Sequence, residues 1–263
     1  MQFIKYHGLG NDFVLLQRTV EELSSISPEL ARTICARGQG VGADGVMRAR
    51  PSERADLEME LLNADGSTPE MCGNGIRCLV KYAVEELSLT HQPLRIWTGA
   101  GLRTCTYTST AEGIVSSVRV EMGPATVSKL EVEGVTGYQV DLGNPHFVIF
   151  EPGEVSMKRA ASLGAALTDH AAFEEGANIE FVGAPQGDLF DVIVYERGCG
   201  LTQACGTGAT AVIAAAAYSS RAQANHPYQV RLPGGVLTIE VNDDLSQTWM
   251  TGPALEIYRG RLS

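Results

Sequence analysis

No apolar run in this 263-residue chain approaches the roughly 20 residues that a membrane-spanning helix needs. The first residues, MQFIKYHGLGNDF, also lack the basic and then apolar layout of a secretory signal, so the expected compartment is the cytoplasm. A basic stripe is missing too: the net charge of −11 is scattered along the chain, which argues against nucleic acid or an anionic membrane as partner and leaves a small molecule. Six cysteines are too sparse for a disulfide scaffold, and a reducing compartment would keep most of them as thiols. Neither Cys72 and Cys78 nor Cys199 and Cys205, six apart in each case, has the spacing of a zinc knuckle or a redox pair. Glycine-rich turns are present, but without the Lys and Ser/Thr of a nucleotide P-loop. No metal or cofactor is expected. No Pro/Ser-rich linker divides the chain.

What remains is a chain with 44% apolar residues, enough to build one large core or two medium ones. Stretches rich in β-branched and aromatic residues predict strands over Phe13 to Leu16, Leu57 to Leu62, Leu94 to Thr98, Val115 to Met122, Phe147 to Phe150, Val192 to Tyr195 and Val236 to Val241. A helix is expected from Ser27-Pro28-Glu29 towards Cys35, where a capping serine precedes proline at the first helical position. Two more should follow glycine-rich turns, over Gly75 to Leu87 and Gly208 to Ser219. The second of these, GATAVIAAAAY, is apolar almost all round and should be enclosed on most sides.

The landmarks recur. Asn11 and Asn144, each in Gly-Asn, lie 133 residues apart, as do Cys72 and Cys205. Asn63 and Glu196 repeat the interval, each lying nine residues before its cysteine. Gly42-Ala43-Asp44 and Gly176-Ala177-Asn178 match at 134. Four landmarks in one order at a nearly fixed offset predict two copies of one strand-rich unit, an α+β architecture with a seam near Glu112 to Val118. The halves would be 1–117, joined by a returning tail 252–263, and 118–251. The alternative is a single mixed α+β domain with chance matches.

In MCGNGIRC and ACGTGATA a cysteine stands in a glycine-rich turn before an apolar helix. The first N–H groups of a helix have no partner within it, so such a turn binds a carboxylate and favours the thiolate of an adjacent cysteine. Both thiols are therefore expected to be partly ionised. Two such turns facing one substrate could remove a proton from one face of an α-carbon and return one to the other, inverting the centre. Cys35, Cys78 and Cys105 are read as core residues.

KYHGLGNDF, NADGS with MCGNGIRC, LGNPH, GANIEF and ERGCGLTQACGTGATA together resemble the diaminopimelate epimerase family, from Gln2 to the closing MTGPALEIYRG. Either cysteine motif alone is shared with proline racemases and phenazine-biosynthesis isomerases. The resemblance implies two pseudo-symmetric, barrel-like halves, each around a central helix, with a cofactor-independent site between them. It implies Cys72 and Cys205 as acid and base, and Gly73, Asn74, Gly206 and Thr207 as the cradle of the α-carboxylate. Asn11, Asn63, Asn144, Asn178, Glu196 and Arg197 would line the pocket, with Arg197 pairing a carboxylate and Glu196 an ammonium. His146 and Glu196 would adjust the thiols, Tyr258 would contact a second copy in a homodimer, and the product would feed lysine and peptidoglycan synthesis.

Two positions depart from many family members: Gly45 stands where glutamine is common, and Leu201 where a polar residue is common. Gly45 removes a candidate amide contact at the far end of the substrate. That leaves open a related cofactor-free racemase, for instance of histidine, and a non-catalytic amino-acid-binding relative.

Overall fold

The computed structural model describes residues 1–17, 25–69 and 72–262; Met71 of the MCGNGIRC motif lies outside them. The chain divides into two compact units, Met1–Val120 with Gly252–Ser263, and Glu121–Thr251.

In the first unit β1 (Gln2–Gly8) and β2 (Asn11–Leu16) form an antiparallel hairpin in which Gly8 faces Asn11. Helix α1 (Pro28–Cys35) crosses to β3 (Gly45–Arg50), which runs parallel to β2. β4 (Leu57–Asn63) returns antiparallel to β3, placing Gly45 opposite Asn63. Helix α2 (Gly73–Glu85) then crosses to β5 (Leu94–Thr98), parallel to β4. β6 (Gly101–Ser109) and β7 (Val115–Gly123) continue antiparallel.

The second unit runs through the same sequence of steps. β8 (Thr126–Val132) and β9 (Val135–Asp141) lead antiparallel into β10 (Pro145–Phe150). Helix α3 (Met157–Leu167) crosses to β11 (Asn178–Val182), parallel to β10, and β12 (Leu189–Glu196) returns antiparallel. After the short β13 (Gly200–Leu201), helix α4 (Gly206–Tyr218) crosses to β14 (Tyr228–Leu232), parallel to β12. β15 (Gly235–Val241) and β16 (Thr248–Gly252) close antiparallel. The last strand, β17 (Leu255–Arg261), returns to the first unit and pairs with β1 as β8 pairs with β9. Both units therefore alternate antiparallel and parallel pairings in one order, with a helix at each parallel crossover, where the chain must travel the length of the sheet before it can pair again. This is the architecture of two similar strand-rich halves.

The helix after each cysteine is the centre of its unit. Every residue of α4 from Gly206 to Ala216 is buried, and α2 is buried from Gly73 to Val84. In α4 alanines let the surrounding strands approach; α2 carries two charged side chains, Arg77 and Lys81, that are buried with their partners. α1 begins as expected, with Ser27 Oγ accepting from the Leu30 N–H and Pro28 at the first position. Helix α3 has no counterpart in the sequence expectations, although Ser156 caps it in the same way as Ser27 caps α1.

Burial pushes the Cys35 thiol up to about 11 and the Cys78 thiol up to about 12. The folded chain thus keeps protons that the unfolded chain releases near the ordinary thiol value of about 8.5. The stability these two groups contribute is complete below that value and is lost as pH rises through 11 and 12. A Cys35→Ala, Cys78→Ala variant should begin less stable at pH 7, through lost packing, but lose less stability than the parent between pH 9 and 11. Urea midpoints measured across that range check this.

Candidate active site

Cys72 and Cys205 occupy the same place in their units. Each is the cap residue of its buried helix, in extended backbone, with its sulfur accepting from the N–H three residues on: Gly75 N to Cys72 Sγ at 3.3 Å and Gly208 N to Cys205 Sγ at 3.3 Å. The glycine at that third position is closely packed. A Cβ at Gly75 would lie 3.3 Å from Cys72 Sγ and from Met47 Cε, and one at Gly208 would lie 2.7 Å from Glu180 Oε1. The Cys-Gly-x-Gly pattern thus gives each thiol a helix terminus to cap and a closely packed glycine beside it.

Around Cys72, Asn11 Oδ1 lies 3.9 Å from the sulfur and accepts from Asn74 Nδ2 at 3.3 Å. The amide is held that way round by Asp44, whose Oδ2 accepts from Asn11 Nδ2 at 2.9 Å and from the Asp12 N–H at 3.0 Å. Asp44 is itself tied to Arg37, which also pairs with Asp12, and Asp12 pairs with the buried Lys5. Arg77 lies fully buried one turn into α2, donating to Asn74 Oδ1 (2.8 Å), to the Gly73 carbonyl (3.1 Å) and to the Pro253 carbonyl (3.1 Å). Burial draws its pKa down to about 10, so it remains charged at neutral pH. Asn63 Nδ2 donates to Ser67 Oγ at 3.0 Å within the turn that follows β4.

Around Cys205 the companions differ. Thr207 Oγ1 lies 3.4 Å from the sulfur and accepts from Asn144 Nδ2 at 3.3 Å. Asn144 Oδ1 meets His146 Nε2 at 3.2 Å, and the fully buried His146 meets Glu180 Oε1 through Nδ1 at 2.7 Å. Glu196 accepts from the Thr202 hydroxyl. Asn178 bridges two strands, donating to the Pro145 carbonyl at 3.3 Å and accepting from the Arg197 N–H at 3.0 Å. The Arg197 guanidinium donates to the Glu175 carbonyl at 2.5 Å.

The expectation that both helix termini hold their thiols partly ionised is corrected at Cys205. Its burial, and after that the Glu196 and Glu180 carboxylates, push the thiol well above its ordinary value. Donation from Thr207 and from the Gly208 N–H opposes this and does not overcome it. The helix terminus acts over one hydrogen bond, whereas removal from water acts on the whole charge.

Arg77, Asp44 and Glu180 were not singled out from the sequence. Two of them carried a signal, since Arg77 interrupts an apolar helix and Glu180 an apolar strand, NIEFV, with a charge that has no place there unless it is paired. The departure at Gly45 also has a local cause. A Cβ there would lie 2.9 Å from the Leu62 carbonyl oxygen, with Phe13 and Leu61 at 3.2 and 3.3 Å. The backbone itself fills the space, so Gly45 reflects close strand packing and does not by itself point to another substrate. Gly45→Gln should lower stability by about 1–3 kcal/mol without raising activity, as thermal unfolding and an activity assay would show. Leu201 is exposed on β13, and Tyr258 is exposed on β17, where its ring meets the edge of Phe3 at a centroid distance of 6.0 Å.

Comparison with known proteins gives the same pattern over the whole length. The diaminopimelate epimerase family model matches residues 3–128 and 138–256. The diaminopimelate epimerase of Synechococcus elongatus is 40% identical over 283 aligned positions, covering 100% of this chain and 98% of that protein. That of Desulfitobacterium hafniense is 38% identical with the same coverage. Among solved structures, a hydroxyproline epimerase from Agrobacterium vitis superposes with a TM-score of 0.75 at 16% identity, covering 99% of this chain and 91% of that one. A Bacillus anthracis phenazine biosynthesis protein gives 0.76 at 14% identity, covering 100% and 99%. The fold is shared with these structures, and the chain belongs to the diaminopimelate epimerase family.

Proposed function

We propose that this enzyme interconverts the LL and meso forms of diaminopimelate, with Cys72 and Cys205 as paired base and acid and without a cofactor. The observation that carries the reading is the repetition of one thiol, in one capping geometry, at the start of the buried helix of each unit. Inverting an α-carbon needs a group to take the proton from one face and another to supply one to the opposite face. The first N–H groups of α2 and α4, from Gly73 and Asn74 and from Gly206 and Thr207, would receive the α-carboxylate as it gains enolate character. Asn11, Asn63, Asn144, Asn178, Glu196 and Arg197 supply amides and both signs of charge for a substrate with two carboxylates and two ammonium groups.

His146 and Glu196 would adjust the thiols, and the Glu196 carboxylate already contributes to the raised Cys205. The exposed apolar strand β17, with Leu255, Ile257 and Tyr258, supports a homodimer. No helix among the described residues is long and apolar enough to cross a membrane, and a place in cytoplasmic lysine and peptidoglycan synthesis follows from the substrate. Incubating the purified enzyme with the LL isomer and separating isomers chromatographically should show the meso form accumulating, with no turnover of histidine. Absence of meso product, or turnover of histidine instead, would overturn the assignment.

A further inference from the structure

Among the described residues Glu180 is the most deeply enclosed carboxylate near either cysteine, at 0% exposure in the middle of β11. Its Oε2 has no hydrogen-bond partner among the described residues, while Oε1 meets His146 Nδ1 at 2.7 Å. From there the contacts run on without a break through Asn144 and Thr207 to Cys205 Sγ. Five side chains from β10, β11, α4 and the turns before them thus form one chain that starts at a buried carboxyl group and ends on a sulfur. The first turn of α4 closes over it, since only glycine fits at 208 against Oε1.

The direction of donation along this chain follows from charge. A fully buried carboxylate–imidazole pair is tolerable when its net charge is zero and costly when it is not. A neutral pair holds two protons. One sits in the short contact between Nδ1 and Oε1, and because Asn144 Oδ1 can only accept, the other is on Nε2 rather than on Oε2. Nε2–H then donates to Asn144 Oδ1, the Asn144 amide N–H donates to Thr207 Oγ1, and the Thr207 hydroxyl proton is left to turn towards Cys205.

We propose that Glu180 is a positioning residue for Cys205: through His146, Asn144 and Thr207 it aims a hydroxyl proton at the sulfur, which steadies the thiolate when Cys205 serves as base. The use made of that donation rests on the proposed acid–base role of Cys205, whereas the donation itself does not. Glu180→Gln leaves the ring one proton for two nitrogens, so donation at Nε2 is no longer imposed and Thr207 can turn its proton to Asn144 instead. The Glu180 carboxylate by itself disfavours the thiolate, but beside His146 in a neutral pair its charge is offset, so the loss of the donated proton outweighs the loss of that repulsion.

The test needs no substrate, so it stands apart from the assignment of the reaction. Alkylation of Cys205 by iodoacetamide at fixed pH, followed by peptide mass spectrometry, should slow about tenfold in Glu180→Gln, the size of one hydrogen bond to a charged atom. Cys72 in the same digest should be unaffected. In a Thr207→Val background the same substitution should have no further effect on Cys205, since the path would already be cut. An unchanged or faster Cys205 rate, or an equal loss in the Thr207→Val background, would overturn the proposal. On the unaltered enzyme, nitrogen-15 NMR of His146 should show a proton on Nε2 at neutral pH; a bare Nε2 would overturn it independently of any variant.

Discussion

With Cys72 and Cys205 as the proposed acid and base, replacing either by alanine should lower the rate of inversion by about 10²–10⁴-fold, the range that a positioned acid or base contributes. The loss should be as large for one thiol as for the other, because removal of the proton by one and delivery of a proton by the other both lie on the path in each direction. Alanine also removes a helix cap, at a cost of about 1 kcal/mol, since each sulfur accepts the N–H three residues on. Serine separates the two effects. Its hydroxyl keeps an acceptor at the cap, so Cys72→Ser and Cys205→Ser should unfold close to the parent midpoint, yet an alcohol is far too weak an acid to exchange the α-proton at neutral pH. Serine variants that are stable but slow place the defect in proton transfer. Full activity in either would remove that cysteine from the mechanism.

Arg77→Met should cost at least about 3 kcal/mol of stability, the largest effect expected from a single change outside the cysteines. The guanidinium is fully buried and serves the Gly73 carbonyl, Asn74 Oδ1 and the Pro253 carbonyl together. Methionine fills much of the volume but removes the guanidinium bonds to Asn74 Oδ1 and the Pro253 carbonyl, and each buried bond to a charged group lost in this way costs about 1–3 kcal/mol. The damage also reaches the site, because Asn74 then loses the contact that holds its amide against Asn11. Lysine should not rescue it: one ammonium on a flexible stem cannot reproduce a planar fork aimed at three places. Urea unfolding of Arg77→Met and Arg77→Lys checks both points, and a loss below 1 kcal/mol in Arg77→Met would contradict them.

The features read correctly from sequence are those whose cause is local. A cysteine in a glycine-rich turn before an apolar run is a helix start whatever surrounds it, and α2 and α4 begin two residues before the expected Gly75 and Gly208 because the cysteines themselves are the caps. Strands with one buried face, such as Leu94–Thr98, carry an alternating pattern and stand where expected. β8 does not: its side chains are mostly exposed, so no period distinguishes it from loop. The sequence offers a roster of candidate residues but not their partnerships. That Asp44 turns the Asn11 amide, or that His146 finds Glu180, depends on the parallel pairings of β2 with β3 and of β10 with β11, which bring together residues more than 30 positions apart. The ionisation of Cys205 was misjudged for a related reason. The helix terminus is visible in sequence, whereas burial and the two carboxylates that oppose it are supplied by the fold.

In the proposed mechanism two thiols act on opposite faces of one carbon, and the isotope content of the first product tests it most directly. With LL-diaminopimelate in D2O, the acid thiol exchanges with solvent before the substrate binds. Meso product collected at low conversion should therefore carry deuterium at the inverted centre, while the unreacted LL substrate keeps its protium. A single base serving both faces would hand the abstracted proton back, and early meso product rich in protium would contradict the two-thiol mechanism.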